Sequence, residues 1–210
     1  MFNRYFEAGE YNREFLFAHL TVKNIDFALI SLESILEREE FDETLYTDMH
    51  TYYFFHLQSL LAACGNISNV FYSFGFGGSR MRRESERSRE LREFFDINKR
   101  SFPLVFQKEF RNTNEHFDER IDAFGGNMGD YNILDRYTRE HLRDTVHNNP
   151  HLRTFDRECG IYHTFDRSLR PIQFNLHNLK DELLEMKRRI TSAPIFNDGW
   201  IDRMPGDIIE

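Results

Sequence analysis

The stretch RNTNEHFDERID, residues 111–122, crowds groups that could do chemistry into the start of a helix with an apolar stripe. Arg111, Asn112 and His116 supply a guanidinium, a carboxamide and an imidazole, and Glu115, Asp118, Glu119 and Asp122 surround them with carboxylates. An imidazole exchanges its proton near neutrality and so serves as acid or base. A guanidinium holds an anionic group through planar, paired hydrogen bonds. At roughly 100° per residue, Arg111, Glu115, Asp118 and Asp122 fall along one flank of a helix, and Asn112 and His116 along another. On physical grounds alone a solvated acidic flank is the better account, because charged helix faces are mostly exposed and a helix-borne His is more often structural than catalytic.

Long amphipathic helices must position these groups. Phe15, Ala18, Val22, Ile25, Leu29, Leu32 and Leu36 recur at alternating steps of three and four, one apolar stripe over residues 13–38. Tyr46, Met49, Tyr53, Leu57, Leu60, Cys64, Ile67 and Phe71 do the same over 45–72. A short connector between two such helices predicts an antiparallel pair. Pro103 suits the first turn of a fourth helix, on which Phe106, Phe110, Phe117, Ile121 and Phe124 form a stripe ended by Gly125-Gly126.

Between these helices, FGFGGS (74–79) lacks the Gly-Lys-Ser/Thr and the preceding strand of a phosphate loop, and reads as an interhelical loop. Residues 80–100 hold eight Arg or Lys against five Asp or Glu and predict a third helix on Leu91, Phe94 and Phe95. That segment is a solvated face of alternating charges in the plainer reading and a phosphate-attracting rim in the sharper one. Residues 127–151 read as polar loop with at most a short helix. LRTFD (152–156) and IYHTFD (161–166) flank a turn at Gly160 and predict a hairpin. A last amphipathic helix spans 175–190 on Leu176, Leu179, Leu183, Met186 and Ile190. The predicted fold is mainly α: a four- to five-helix up-and-down bundle over 1–126, with a small α+β extension over 127–210 containing the hairpin.

A formal charge of −8 and a pI near 5.6 argue against coating nucleic acid with the whole surface, though not against a local basic cleft. The 22 Phe and 9 Tyr supply burial area that an apolar content of 40% would otherwise leave short. Cys64 and Cys159 alone imply no disulfide framework, and a reducing cytoplasm is expected. Neither a signal peptide nor an uninterrupted apolar run of membrane-spanning length is evident, so no membrane association is expected.

Arg111-Asn112-x-x-x-His116, with a polar residue directly after the arginine and on a late helix of a bundle, resembles the Arg-x(4–6)-His motif of HEPN-domain proteins. The resemblance covers residues 12–125. It implies a helical bundle that dimerises through the motif-bearing face and, in active members, ribonuclease chemistry without metal or other cofactor. Arg111 and His116 would then be the catalytic pair and Asn112 the supporting polar group. Such cleavage needs a proton-transfer group working near neutrality and a fixed cation on the phosphoryl oxygens, while the 2′-hydroxyl attacks and leaves a cyclic phosphate. The family context is toxin–antitoxin or phage defence, with RNA and a partner antitoxin or toxin as binding partners. In a straight helix Arg111 and His116 stand about 140° apart. Their convergence requires either an irregular helix start near 111–113 or a cleft shared with a second copy.

Two rivals come from other classes. A metal-dependent bundle hydrolase would draw on His56 with the 115–122 carboxylates, or on His141 with His147, but no His-x-x-x-His or Glu-x-x-His pair stands at ligand spacing on a predicted helix. A non-catalytic interaction or regulatory module, antitoxin-like or an RNA-binding partner protein, needs only the bundle and the polar face.

Overall fold

The computed structural model describes residues 13–37, 48–73, 85–115, 135–138, 153–166, 168 and 170–194. In chain order the elements are α1 (Arg13–Leu36), α2 (Met49–Phe71), α3 (Glu86–Phe95), α4 (Lys108–Glu115), β1 (Asp135–Thr138), β2 (Arg153–Asp156), β3 (Ile161–Phe165), β4 (Pro171–Asn175) and α5 (Leu176–Thr191). The described chain is mostly helical, with its strands confined to the C-terminal part.

Helices α1 and α2 run antiparallel. Tyr52 near the start of α2 donates its hydroxyl to the Ser34 carbonyl near the end of α1, and Asn66 late in α2 donates to Asn24 Oδ1 at 3.0 Å. Between them lie Phe15, Ala18, Ile25 and Leu32 from the predicted α1 stripe, all buried, with Val22, Leu29 and Leu36 half-buried against them. The α2 stripe is buried from Tyr53 through Phe71. The polar residues interrupting α1 are absorbed locally: Thr21, Asn24 and Ser31 each donate to the carbonyl four residues back. Residues Glu14–Leu36 are long and apolar enough to cross a membrane by length and composition, and in this fold one face of that helix forms the core.

Several boundaries differ from those expected. The α2 helix starts at Met49 because Asp48 is extended and its Oδ1 accepts from Thr51 N–H at 2.7 Å, an N-cap that fixes the first turn. The fourth helix starts at Lys108, and Pro103 lies in turns that precede it. Asn98 Oδ1 organises those turns by accepting from Arg100 and Ser101 N–H, and Phe102, Val105 and Phe106 are buried there. The 127–151 stretch contains strand β1, where loop or a short helix was expected, and residues 171–175 form a strand. The loop 74–79 and the helical stripe beyond Glu115, with Gly125-Gly126, lie outside the described residues.

The predicted hairpin is present: β2 and β3 pair antiparallel, with Thr154 opposite His163. Strand β4 extends it antiparallel and β1 pairs parallel to β2, giving the order β1-β2-β3-β4. Gly160 closes the β2–β3 turn with φ +62, a conformation that side-chain-bearing residues rarely adopt, and a Cβ there would stand 2.5 Å from the His177 ring and displace it. Its carbonyl accepts from Leu176 N–H, joining the turn to the start of α5.

Helix α5 runs antiparallel to α1, linked by Lys187–Asp26 at 2.6 Å and by Lys180–Glu37. Its buried face, Leu176, Leu179, Leu183, Met186 and Ile190, matches the predicted stripe. Half-buried Glu182 on α5 accepts from Leu104 N–H at 2.9 Å and from Val105 N–H at 3.0 Å. Burial pushes its carboxyl above the ordinary glutamate value, and these hydrogen bonds draw it partly back. A folded value above the unfolded one means that protonation contributes stability below the ordinary glutamate pKa, and that this contribution is lost as pH rises through the folded value. Glu182→Gln should therefore flatten that decline in a urea-stability series against pH. Glu182→Ala leaves two buried N–H groups without their acceptor and should cost about 1–3 kcal/mol at neutral pH. An alanine variant with the parental urea midpoint would show that solvent satisfies those groups.

Candidate functional site

Aromatic rings set the position of α4. Phe106, just before it, meets Tyr72 edge-on at 4.7 Å and Phe71 at 6.1 Å. Phe110, 1% exposed, lies 4.6 Å from the Phe174 ring of β4, which in turn stacks on Tyr162 of β3. The buried Phe110 fixes the rotation of α4 between α2 and the sheet, and with it the inward placement of Asn112.

The helix is regular from Lys108 through Glu115, so Arg111 sits inside it. An irregular start at 111–113 is thereby removed as a route for bringing Arg111 to His116. Asn112 is buried, at 9% exposure, instead of lining an open flank. His116, with Asp118, Glu119 and Asp122, lies outside the described residues, as do His141 and His147. Of the three candidate residues the structure thus brings Arg111 and Asn112 together on α4 and leaves the third beyond its described end.

In the described part of the basic segment before α4, several cations lie against rings instead of standing free in solvent. Arg87 stands 4.3 Å over the Phe17 ring and donates to Ser73 Oγ at 2.6 Å. Arg92 and Lys99 approach the Tyr72 ring at 4.4 and 4.5 Å, and Arg92 also donates to the Phe71 carbonyl. Around Arg87 the hydroxyls of Ser73, Ser85 and Ser88 lie within 2.8 Å of one another, and Ser85 caps α3 by accepting from Ser88 N–H. Arg89–Glu86 is a surface pair of the expected kind, at 3.5 Å. These cations are spent on fastening α3 to α1 and α2.

A polar group that the sequence reading missed lies on the sheet. All four side chains of β2 are buried, including Arg153 and Asp156, as are His163 and Thr164 on β3. The register puts Thr154 beside His163 on one face, with Asp156 two residues along on that face, while Arg153 and Phe155 share the other. The Arg153 guanidinium lies 5.0 Å over Phe54 of α2, and Asp156 Oδ1 accepts from Cys159 N–H. The missing signal was β1, whose pairing makes β2 an interior strand.

Other nucleophiles are unpromising. Burial, with Glu182 nearby, pushes the Cys64 thiol up to about 12, so it stays protonated at neutral pH. The Cys159 thiol is raised too, by desolvation and then by Asp156 and Glu158. His56 packs edge-on against Tyr52 at 4.6 Å. Among the described residues no cluster of three His, Cys, Asp or Glu side chains is placed to hold a metal ion. Comparison of the chain with known protein families, with curated proteins and with solved structures returned no match. The class that the fold defines is a mainly helical protein carrying a small C-terminal sheet.

If Phe110 anchors α4, Phe110→Ala should open a cavity at the Phe174 ring and cost about 3–5 kcal/mol, measured as a loss of urea midpoint at unchanged m. A cost below about 1 kcal/mol would mean that α4 is held by other contacts.

Proposed function

We propose that this chain is a HEPN-like cytoplasmic protein acting as a metal-independent ribonuclease in a cleft between two copies, within a toxin–antitoxin or phage-defence system. The supporting observation is the placement of Arg111 and Asn112 directly after a ring locked in the core, on a regular helix whose next residue beyond Glu115 is His116. A rigid anchor of this kind is what a pair of groups needs to meet a phosphodiester in a constant geometry. His116 would exchange protons with the 2′-hydroxyl and the leaving oxygen, and Arg111 would hold the charge growing on the phosphoryl oxygens. With an irregular helix start removed, the two groups meet across a two-fold axis, Arg111 of one copy facing His116 of the other.

A second reading is a non-catalytic interaction module that docks a partner toxin or antitoxin protein. The burial of Asn112 favours it, since a carboxamide packed inside stabilises α4 and does not reach a ligand.

Incubation of the purified chain with single-stranded RNA in excess chelator separates the two. The nuclease reading expects cleavage to continue, with His116→Ala and Arg111→Ala each lowering the rate by a factor of about 10²–10⁴ while far-UV circular dichroism is unchanged. Cleavage that stops with chelator, or persists equally in both variants, overturns it. No cleavage under any condition, with a co-purifying protein released by Arg111→Ala, supports the docking reading.

A further inference from the structure

Helix α1 carries two apolar stripes, and among the described residues one is packed in the core while the other stands exposed. Leu16, Leu20, Phe27 and Ile30 stand 47–59% exposed along the face opposite the core, and Phe55 of α2 joins them at 51%. Phe27, Ile30 and Phe55 form the walls of a groove of about 350 Å³ between the two helices, floored by the small side chains of Ser59, Ala62 and Ala63. Bulky knobs and a small-residue floor thus lie side by side on one surface, which is the requirement for a face that fits a copy of itself.

Three observations favour a second copy of this chain as the occupant. First, charge runs in opposite senses along α1: exposed Lys23 precedes the Phe27–Ile30 centre and exposed Glu33 follows it, and neither makes an ion pair among the described residues. A two-fold axis between Phe27 and Ile30 lays α1 antiparallel on α1 and brings Lys23 level with Glu33 of the second copy, at both ends. A parallel arrangement would set like charge on like. Second, five half-exposed large side chains amount to roughly 500 Å² of apolar surface, the core of a standard interface of about 800 Å² per partner. Third, a membrane is a poorer match, because surface-binding helices flank their apolar face with Lys and Arg, whereas here Lys23 is offset by Glu33, Lys187 and Lys180 are taken up by Asp26 and Glu37, and the chain carries a formal charge of −8.

We propose that the α1–α2 groove face, centred on Phe27 and Ile30, is the surface through which two copies of this protein associate as an antiparallel, two-fold dimer. The nuclease reading needs its own two-fold contact, at α4, and the two are told apart by which substitutions lower the mass: those at Phe27 and Ile30 report on the α1–α2 face alone.

Sedimentation equilibrium at micromolar concentration tests it. The parent should give about twice 25.3 kDa, or a higher multiple that Phe27→Glu lowers to a dimer if the α4 contact forms as well. Phe27→Glu and Ile30→Glu, both at exposed positions, should each raise the dissociation constant by on the order of tenfold or more while retaining the parental circular dichroism. Lys23→Glu and Glu33→Lys should each weaken association, and the double exchange should restore it, an outcome that a parallel dimer or a dimer through another face does not produce. A monomeric parent overturns the proposal, as does a dimer indifferent to Phe27→Glu and Ile30→Glu. Binding of a monomeric parent to phosphatidylserine vesicles, lost in Phe27→Glu, would overturn it in favour of a lipid surface.

Discussion

The Glu182 carboxylate joins the parts of this chain that stand far apart in sequence. The turns at 99–106 must cross from the end of α3 to α4 without regular secondary structure, which leaves the Leu104 and Val105 N–H groups without backbone partners. Glu182, a full helix away on α5, accepts both. The exchange stabilises the connector at the cost of holding a carboxylate half out of water, which is why that carboxyl titrates high. Arg189, two turns further along α5, reinforces the same junction. It donates to the Asp96 carbonyl at 2.6 Å, where the chain leaves α3 in a left-handed turn at φ +52, and lies 5.0 Å over the Phe102 ring. The connector that leads into α4 at Lys108 is held by this helix-to-connector contact.

Around that junction the protein uses aromatic rings where a more aliphatic chain would use leucine. Phe106 reaches α2, Phe110 reaches β4, and Phe155 lies 5.9 Å from Tyr53. Rings also give cations a place to rest, so Arg87, Arg92, Lys99, Arg153 and Arg189 all lie over aromatic faces. A guanidinium on a ring keeps part of its hydration while its stem covers apolar surface. Of the basic residues that are described between 85 and 100, Arg87, Arg92 and Lys99 are held against rings in this way.

The two halves of α1 chemistry have different consequences. Its inner stripe is matched by α2 and α5 and builds the core, while its outer stripe is left over after the chain has folded. An unmatched apolar stripe bordered by charges of opposite sign at its two ends carries information about orientation as well as affinity. A surface of that kind selects a partner that reverses it, and an antiparallel copy of α1 does so without any further sequence requirement.

How far sequence alone reaches can be traced in particular residues. The stripes of α1, α2 and α5 were legible because a 3.6-residue period over many turns has few other causes, and the hairpin was legible because Gly160 sits between two β-rich runs. The start of α4 was not: Pro103 is a good first-turn residue, and only the Glu182 carboxylate, some eighty positions away, shows that the chain turns there instead. Strand β1 was hidden for a similar reason, since the short run Asp135-Arg136-Tyr137-Thr138 becomes a strand only when β2 is available to pair with it. In the sheet that this pairing completes, Arg153, Asp156 and His163 are buried, which nothing in the local sequence signals. Spacing placed Arg111 and Asn112 on one helix, but the burial of Asn112 follows from the ring of Phe110 seated against Phe174. Periodicity is a property of neighbours along the chain, and it is determined before folding. Burial and pairing are properties of neighbours in space, and only the tertiary structure decides them.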